Sequence, residues 1–136
     1  MTSDKHSNPK AQGYRDLVVW EKGIALAREI YLLTKKLPSD EKFGLVSQMR
    51  RAAVSVPSNI AEGQARHTTG EFVQFISHAE GSVAELDTQL TLCEQLKLLS
   101  STECQSAASL IDELHRMLNS LRRKLSPPKQ QPPTRH

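Results

Sequence analysis

Apolar residues recur every three or four positions along four separate stretches of the chain, the spacing that places side chains on one face of an α-helix. The stretches cover residues 14–36, 41–63, 68–93 and 101–125. No stretch alternates polar and apolar residues as a strand would. Because the connections are short, consecutive helices should be antiparallel neighbours. The pattern therefore predicts an all-α fold, an antiparallel up-down-up-down four-helix bundle.

The first helix carries two apolar stripes where one would face a bundle core. These are Leu17, Trp20, Ile24, Ala27, Tyr31 and Thr34, and Val19, Leu26, Ile30, Leu33 and Leu37. Together they cover more of the helix than a single core requires. We therefore predict that this helix also faces a second partner. Burial of the whole Val19 stripe inside one subunit, with nothing left to dock, would contradict the prediction.

The second helix contains a proline in its interior. Pro57 has no N–H to bond the carbonyl of Ala53, and it disfavours helical angles at Val56. We therefore predict a kink near Pro57. We predict that the helix ends at Gly63, since glycine adopts the left-handed cap conformation most easily. Capping-box patterns, Thr68 to Glu71 and Ser100 to Glu103, should open the last two helices.

Residues 1–12 and 126–136 contain almost no apolar side chains, and the second segment is rich in proline. Such segments cannot bury enough apolar surface to fold. We expect two disordered tails around one domain formed by residues 13–125.

The composition indicates a cellular compartment but does not identify a binding partner. The 136-residue chain has a net charge of +3 and two cysteines, too few for a disulfide framework. No secretory signal or membrane span is recognisable, so we expect a cytosolic protein without a membrane partner. Residues 67–100 hold five carboxylates against one lysine. This sorting of charge suits packing between oppositely charged helices at least as well as a nucleic-acid surface.

Several small residues could let two helices approach closely: Ala52, Ala53, Ala79, Gly81 and Ser82. Gly81 is the most informative, because a glycine within a helix costs about 1 kcal/mol relative to alanine. Close packing at Gly81 is the favoured interpretation, and a groove for a partner chain is the alternative.

Uncharged and charged polar residues lie near the core stripes of the second and third helices: Gln48, Arg51, Asn59, Glu62, Glu85 and Gln89. Such a network usually fixes register and assembly. An enzyme with a polar pocket on these helices is an alternative, but a catalytic role also needs a nucleophile or metal beside the network. No catalytic motif is present, and Asp112-x-x-His115 has no matching pair on another helix, so we expect no cofactor or metal.

Cationic residues suggest a second kind of surface. The candidates for contact with nucleic acid are Arg50, Arg51, Arg66, Arg122, Arg123 and Lys124. Cations at the end of the fourth helix also suit the helix dipole, which is the structural alternative. Aromatic residues for base stacking are scarce, which disfavours sequence-specific reading of single strands.

Three blocks resemble the 23S rRNA-intervening-sequence protein family, also called the four helix bundle protein family. They are Tyr14 to Trp20, Gln48 to Gly63 and Gly81 to Leu90, within residues 14 to about 122. The resemblance implies antiparallel bundles that assemble as five-membered rings, with no established enzymatic activity. Many members are encoded within insertions in ribosomal RNA genes, and a distant branch assists retroelement reverse transcriptases. A gene's location does not by itself indicate RNA binding.

Trp20, Arg51, Asn59, Glu62 and Glu85 match recurrent positions of the family, and we predict that they form a structural or binding surface. The leading hypothesis is a non-enzymatic homo-oligomer, a pentamer if it follows the family, that acts as a binding or scaffolding module. RNA binding through the basic residues is the alternative.

Overall fold

The computed structural model describes residues 13–126 and contains four α-helices. They are α1, Val18–Thr34; α2, Ser47–Gln64; α3, Thr69–Gln95; and α4, Ser101–Leu125. No strand occurs within residues 13–126. The prediction of an all-α fold with four helices is confirmed. The expected disorder of residues 1–12 and 126–136 concerns, apart from Ser126, residues outside the described part.

Each helix packs against two neighbours. α2 contacts α1 and α3, and α4 contacts the same two helices. Between α1 and α4, Lys22 pairs with Glu113 at 3.2 Å and Lys36 pairs with Glu103 at 3.4 Å. Residue numbers rise along one helix as they fall along the other, which is compatible with the predicted up-down-up-down order.

The core draws apolar residues from all four helices. Those that are fully buried include Leu26, Ile30, Met49, Val56, Ile60, Ile76, Val83, Leu86, Leu114 and Leu118. The predicted faces of α2, α3 and α4 point inward as expected. At roughly 1.5–3 kcal/mol for each large side chain, this burial is the main stabilising contribution to the fold.

The two stripes of α1 are not equivalent. All five residues of the Val19 stripe are buried within the protein, since even Leu37 is only 8% exposed. The expectation that this stripe could serve a second partner is therefore wrong. The other stripe stays partly open, with Ile24 37% and Tyr31 41% exposed. α1 thus retains apolar surface, but on the opposite stripe.

The start of α2 differs from the prediction. A short 3₁₀ turn, Ser39–Glu41, and a π-helical turn, Lys42–Val46, precede the α-helix. Gly44 has φ −108° and ψ −107°, outside helical geometry, and the Glu41 side chain accepts a hydrogen bond from the Leu45 N–H at 3.3 Å. The sequence pattern missed this break because apolar spacing continues through it.

Pro57 lies inside α2, which runs as one helix from Ser47 to Gln64. The kink predicted there stays a prediction. Gly23 of α1 lies opposite, where an added Cβ would meet Pro57 atoms at 3.4 Å. A larger residue at position 23 would therefore crowd the proline.

Gly63 has a different role from the predicted one. It lies within α2, and among the described residues only Gly13 and Lys97 have positive φ. A Cβ at Gly63 would come within 2.8 Å of Phe72 Cδ1 and Phe75 Cβ. This glycine therefore permits the close approach of α3 and does not cap α2.

The two predicted helix starts are confirmed. The Thr68 hydroxyl accepts the Glu71 N–H at 3.1 Å. At α4, the Ser100 hydroxyl accepts the Glu103 N–H at 3.0 Å, and the Glu103 carboxylate accepts the Ser100 N–H at 2.9 Å. Only the second start forms the full reciprocal capping box.

Candidate functional site

An apolar groove lies on the outer surface of α1. The groove has a volume of about 440 Å³. Its lining consists of Ile24, Ala27, Arg28, Tyr31, Leu32 and Lys35. Leu32 is 53% exposed, so the apolar lining is open to solvent along its length. We call this the α1 groove.

One wall of the α1 groove is held in place by an arginine from α2. The Arg50 guanidinium lies 4.6 Å from the centroid of the Tyr31 ring. Its Nε donates to Thr34 Oγ1 at 2.9 Å. Thr34 is itself buried and donates to the Ile30 carbonyl at 2.8 Å. Arg50, a predicted nucleic-acid contact, is thus engaged in fixing the position of Tyr31.

A second groove, of about 370 Å³, lies where the start of α1 meets the end of α4. Its apolar lining comes from Leu17, Val18, Val19, Met117 and Leu121. Arg116 and Lys124 line it as well. Both grooves therefore combine an apolar floor with cationic residues, and both include residues of α1.

Phe43 is the most exposed large apolar side chain of the described residues, at 90%. It lies in the π-helical turn before α2, next to the irregular backbone of Gly44. Lys42 Nζ is 5.6 Å from its ring centroid. This exposure cannot be inferred from the helical apolar pattern of the sequence.

The predicted polar surface on α2 and α3 is only partly assembled. Asn59 is half-buried, and its Nδ2 donates to the Ser55 carbonyl at 2.8 Å within its own helix. The hydroxyls of Ser55 and Ser82 form a hydrogen bond across the helix pair, and the Ser55 hydroxyl lies 2.9 Å from the Ala52 carbonyl. The link between α2 and α3 is therefore a serine pair that the sequence did not single out.

All but one of the remaining predicted polar residues point outward. Gln48, Arg51, Glu62 and Glu85 are exposed. Gln89 is buried, its Nε2 donates to Glu85 Oε2 at 3.3 Å, and its Oε1 is buried without a hydrogen-bond partner. Within the described residues these side chains do not form one network. The arrangement gives the enzyme alternative no support.

Sequence analysis also predicted a surface formed by Trp20 with Arg51, Asn59, Glu62 and Glu85. Trp20 lies on a different helix from the other four residues. It is half-buried on α1, and its ring centroid is 5.3 Å from that of Tyr14. Asn59 and Glu62 are on α2, whereas Glu85 is on α3. The five predicted surface residues are thus spread over three helices.

Gly81 does not support the packing interpretation favoured from sequence. It is exposed, and a Cβ built on it would meet nothing within 4 Å. Gly23 and Gly63 are the glycines at which helices approach closely. The cost of a mid-helix glycine, which motivated attention to Gly81, could have directed attention to Gly23 as well.

Four of the six candidate nucleic-acid contacts lie at one end of the bundle, where α2 and α4 both finish. Arg122 Nε is 2.7 Å from Glu80 Oε1. Arg66 is 3.5 Å from Glu62 and lies 4.6 Å over the Phe75 ring. Arg123 and Lys124 are exposed. Arg50 and Arg51 lie in the first half of α2, away from this end.

Both cysteines are buried and free. Burial, with the nearby Glu94 carboxylate, raises the pKa of the Cys104 thiol to about 11. Burial also raises the pKa of the Cys93 thiol, whose Sγ is 3.8 Å from Met49 Sδ. High pKa values disfavour the reactive thiolate. These thiols therefore behave as core residues.

Residues 13–126 lack two further features. These residues contain no group of three or more His, Cys, Asp or Glu side chains able to hold a metal ion. None of the described helices combines the length and the apolar character that crossing a membrane requires.

Comparison with known proteins identifies the family. The model of the 23S rRNA-intervening sequence protein family matches residues 15–120, which is most of the chain. The chain belongs to this family. The matched range agrees with the blocks in which sequence analysis found the resemblance. No curated protein matches the sequence.

A solved structure resembles this member of the 23S rRNA-intervening sequence protein family. It is the crystal structure of a protein of unknown function from the S23 ribosomal protein family of Bacteroides thetaiotaomicron. The two share 24% sequence identity with a TM-score of 0.72, over 76% of this chain and 97% of the other. At this identity the likeness supports the fold and does not assign a function.

Proposed function

We propose that this protein is a cytosolic, non-enzymatic module that self-associates through apolar surface on α1 and serves as a binding or scaffolding unit. In the proposal each subunit is an up-down-up-down bundle and the assembly is a pentameric ring. The observation that carries it is the α1 groove, with Ile24, Tyr31 and Leu32 all exposed on a helix whose opposite side is fully buried.

The chemical character of this surface supports contact with protein. Contiguous exposed apolar residues rimmed by polar ones commonly mark protein interaction sites. Tyrosine and arginine are enriched among residues that dominate binding energy, and Tyr31 and Arg50 are stacked beside the groove. A wall fixed before binding lowers the ordering cost of association.

Light scattering coupled to gel filtration tests self-association. We expect a mass several times the 15.2 kDa of one chain at micromolar concentration, and about five times that mass for a ring. A mass of one chain over the same concentrations would overturn the proposal. A stable dimer or tetramer would retain self-association but overturn the ring.

A second candidate function, binding to structured RNA, draws support from the grouping of Arg66, Arg122, Arg123 and Lys124 at one end of the bundle. Arg123 and Lys124 have exposed side chains that could approach phosphates. Arg122 and Arg66 are occupied by carboxylates and so contribute less. Phosphate binding of this kind weakens steeply as salt is added.

Fluorescence anisotropy with a structured RNA across a salt series tests the second function. Arg123→Glu should reduce affinity at low salt and flatten the salt dependence. Lys97→Glu, the same charge reversal at the opposite end of the bundle, is the matched control and should have little effect. Equal losses of affinity in the two variants would indicate general charge attraction. They would remove the basis for proposing that RNA binds at one particular end of the bundle.

A further inference from the structure

Phe43 and the α1 groove are two complementary features of the same chain. The side chain of Phe43 is 90% exposed, an unusual state for an aromatic residue that buries roughly 150–250 Å² when it packs. The α1 groove is an apolar recess of about 440 Å³, and no side chain of residues 13–126 fills it. Phe43 exposes apolar surface, and the α1 groove has an apolar lining against which such a side chain can pack.

The backbone around Phe43 holds the side chain away from its own core. The π-helical turn Lys42–Val46 and the non-helical angles at Gly44 separate Phe43 from the regular face of α2. The hydrogen bond from the Leu45 N–H to the Glu41 carboxylate, at 3.3 Å, fixes this turn. Phe43 is therefore presented outward on a defined turn.

The net charges around the two features have opposite signs, although a lysine also lies beside Phe43. Arg28 and Lys35 flank the apolar lining of the α1 groove. Asp40 and Glu41 precede Phe43, while Lys42 lies over the aromatic ring itself. A cationic rim and an acidic approach to the aromatic residue favour an encounter in which these two surfaces meet.

We propose that Phe43 of one copy docks into the α1 groove of a second copy, against Ile24, Tyr31 and Leu32. This inference deepens the proposed self-association and rests on it. The contact joins two different surfaces of the chain. Repeated head to tail it gives a closed ring if the rotation between subunits closes, and a reciprocal pair of contacts would give a dimer.

Two substitutions at exposed positions test the two sides of the contact separately. Phe43→Ser removes the aromatic side chain, and Leu32→Asp places a charge in the α1 groove. Neither side chain belongs to the buried core, so both variants should keep the helix content of the wild type by circular dichroism. Each should raise the dissociation constant by at least about tenfold in sedimentation velocity.

An equimolar mixture of the two variants gives the decisive result. The Leu32→Asp chain keeps its aromatic side chain, and the Phe43→Ser chain keeps its groove, so one contact can form. We expect a species of two chains that neither variant forms alone. Leu92→Ser, at an exposed apolar position on α3 outside both grooves, is the control and should assemble as the wild type does.

The outcomes distinguish this pairing from self-association itself. A wild-type chain that is monomeric overturns both proposals. A wild-type oligomer whose Phe43→Ser variant assembles with unchanged affinity overturns the pairing alone. The pairing is also overturned if the mixture stays monomeric, or if Leu92→Ser weakens assembly as much as Phe43→Ser does.

Discussion

Replacing either of two glycines by alanine should change the stability of the fold, and the direction of the change depends on what surrounds the glycine. Both Gly63 and Gly81 lie within helices, so each replacement gains about 1 kcal/mol from helix propensity. At Gly81 the new Cβ meets nothing within 4 Å. Gly81→Ala should therefore stabilise the fold by up to about 1 kcal/mol.

At Gly63 the same methyl group comes within 2.8 Å of Phe72 Cδ1 and Phe75 Cβ. Phe75 Cβ is fixed to the backbone of α3, so the two helices must separate. Overpacking of this kind costs about 1–3 kcal/mol. After the propensity gain, Gly63→Ala should range from neutral to about 2 kcal/mol destabilising, and it should be about 1–3 kcal/mol less stable than Gly81→Ala.

Urea unfolding followed by circular dichroism measures both variants against the wild type. The measurement should be repeated at two protein concentrations, because self-association adds stability that depends on concentration. In thermal melts, the difference between the variants corresponds to roughly 4 °C per kcal/mol. If Gly63→Ala proved as stable as Gly81→Ala, the close approach of α2 and α3 at Gly63 would be refuted.

Three further predictions concern the core, a helix start and the thiols. Leu86→Ala should destabilise the fold by about 2–5 kcal/mol in urea unfolding, since Leu86 is fully buried; a cost below about 1 kcal/mol would contradict its place in the core. Ser100→Ala should cost about 1 kcal/mol by removing the cap of α4. The hydrogen bond from the Ser100 backbone N–H, with Lys36 nearby, lowers the pKa of the Glu103 carboxyl below its ordinary value of 4.5. The stability that the ionised carboxylate adds to the fold is present above pH 4.5 and is lost as the pH falls through the lowered pKa. Glu103→Gln should therefore flatten the acid limb of a stability profile, and an unchanged limb would argue against the capping box. Cys104, with its pKa raised to about 11, should resist alkylation at pH 8 in the folded protein and react once unfolded; rapid reaction of the native protein would contradict its burial.

The spacing of apolar residues was sufficient to predict the helices, because the residues that pack into the core recur at the helical period. The inward faces of α3 and α4, from Ile76 to Cys93 and from Cys104 to Leu118, are buried as expected. For α1 both stripes recur at the helical period. Which one faces the core depends on where α2 and α4 pack, and this is not encoded in the period.

The features that make up the candidate site depend on tertiary packing. Phe43 resembles a regular helical apolar residue until the angles at Gly44 turn it outward. Gly23 and Gly63 matter only because Pro57 and Phe75 approach them from neighbouring helices. Gly81 was notable for its intrinsic cost, yet within one subunit nothing packs against it.

The charged residues show a similar limit. Sequence predicted that oppositely charged helices could attract one another, and Glu80 of α3 does pair with Arg122 of α4 at 2.7 Å. That pairing, and the contact of Arg50 with Tyr31, engages two residues first considered for nucleic acid. Counting cations along the chain could not reveal which of them already had partners.

The molar mass of the full chain in solution tests the central claim most directly. Sedimentation velocity from sub-micromolar to about 100 µM should show a concentration-dependent assembly, reaching about five times 15.2 kDa if the subunits form a ring. A single species of 15.2 kDa throughout that range would contradict the claim that the apolar surface of α1 exists for self-association.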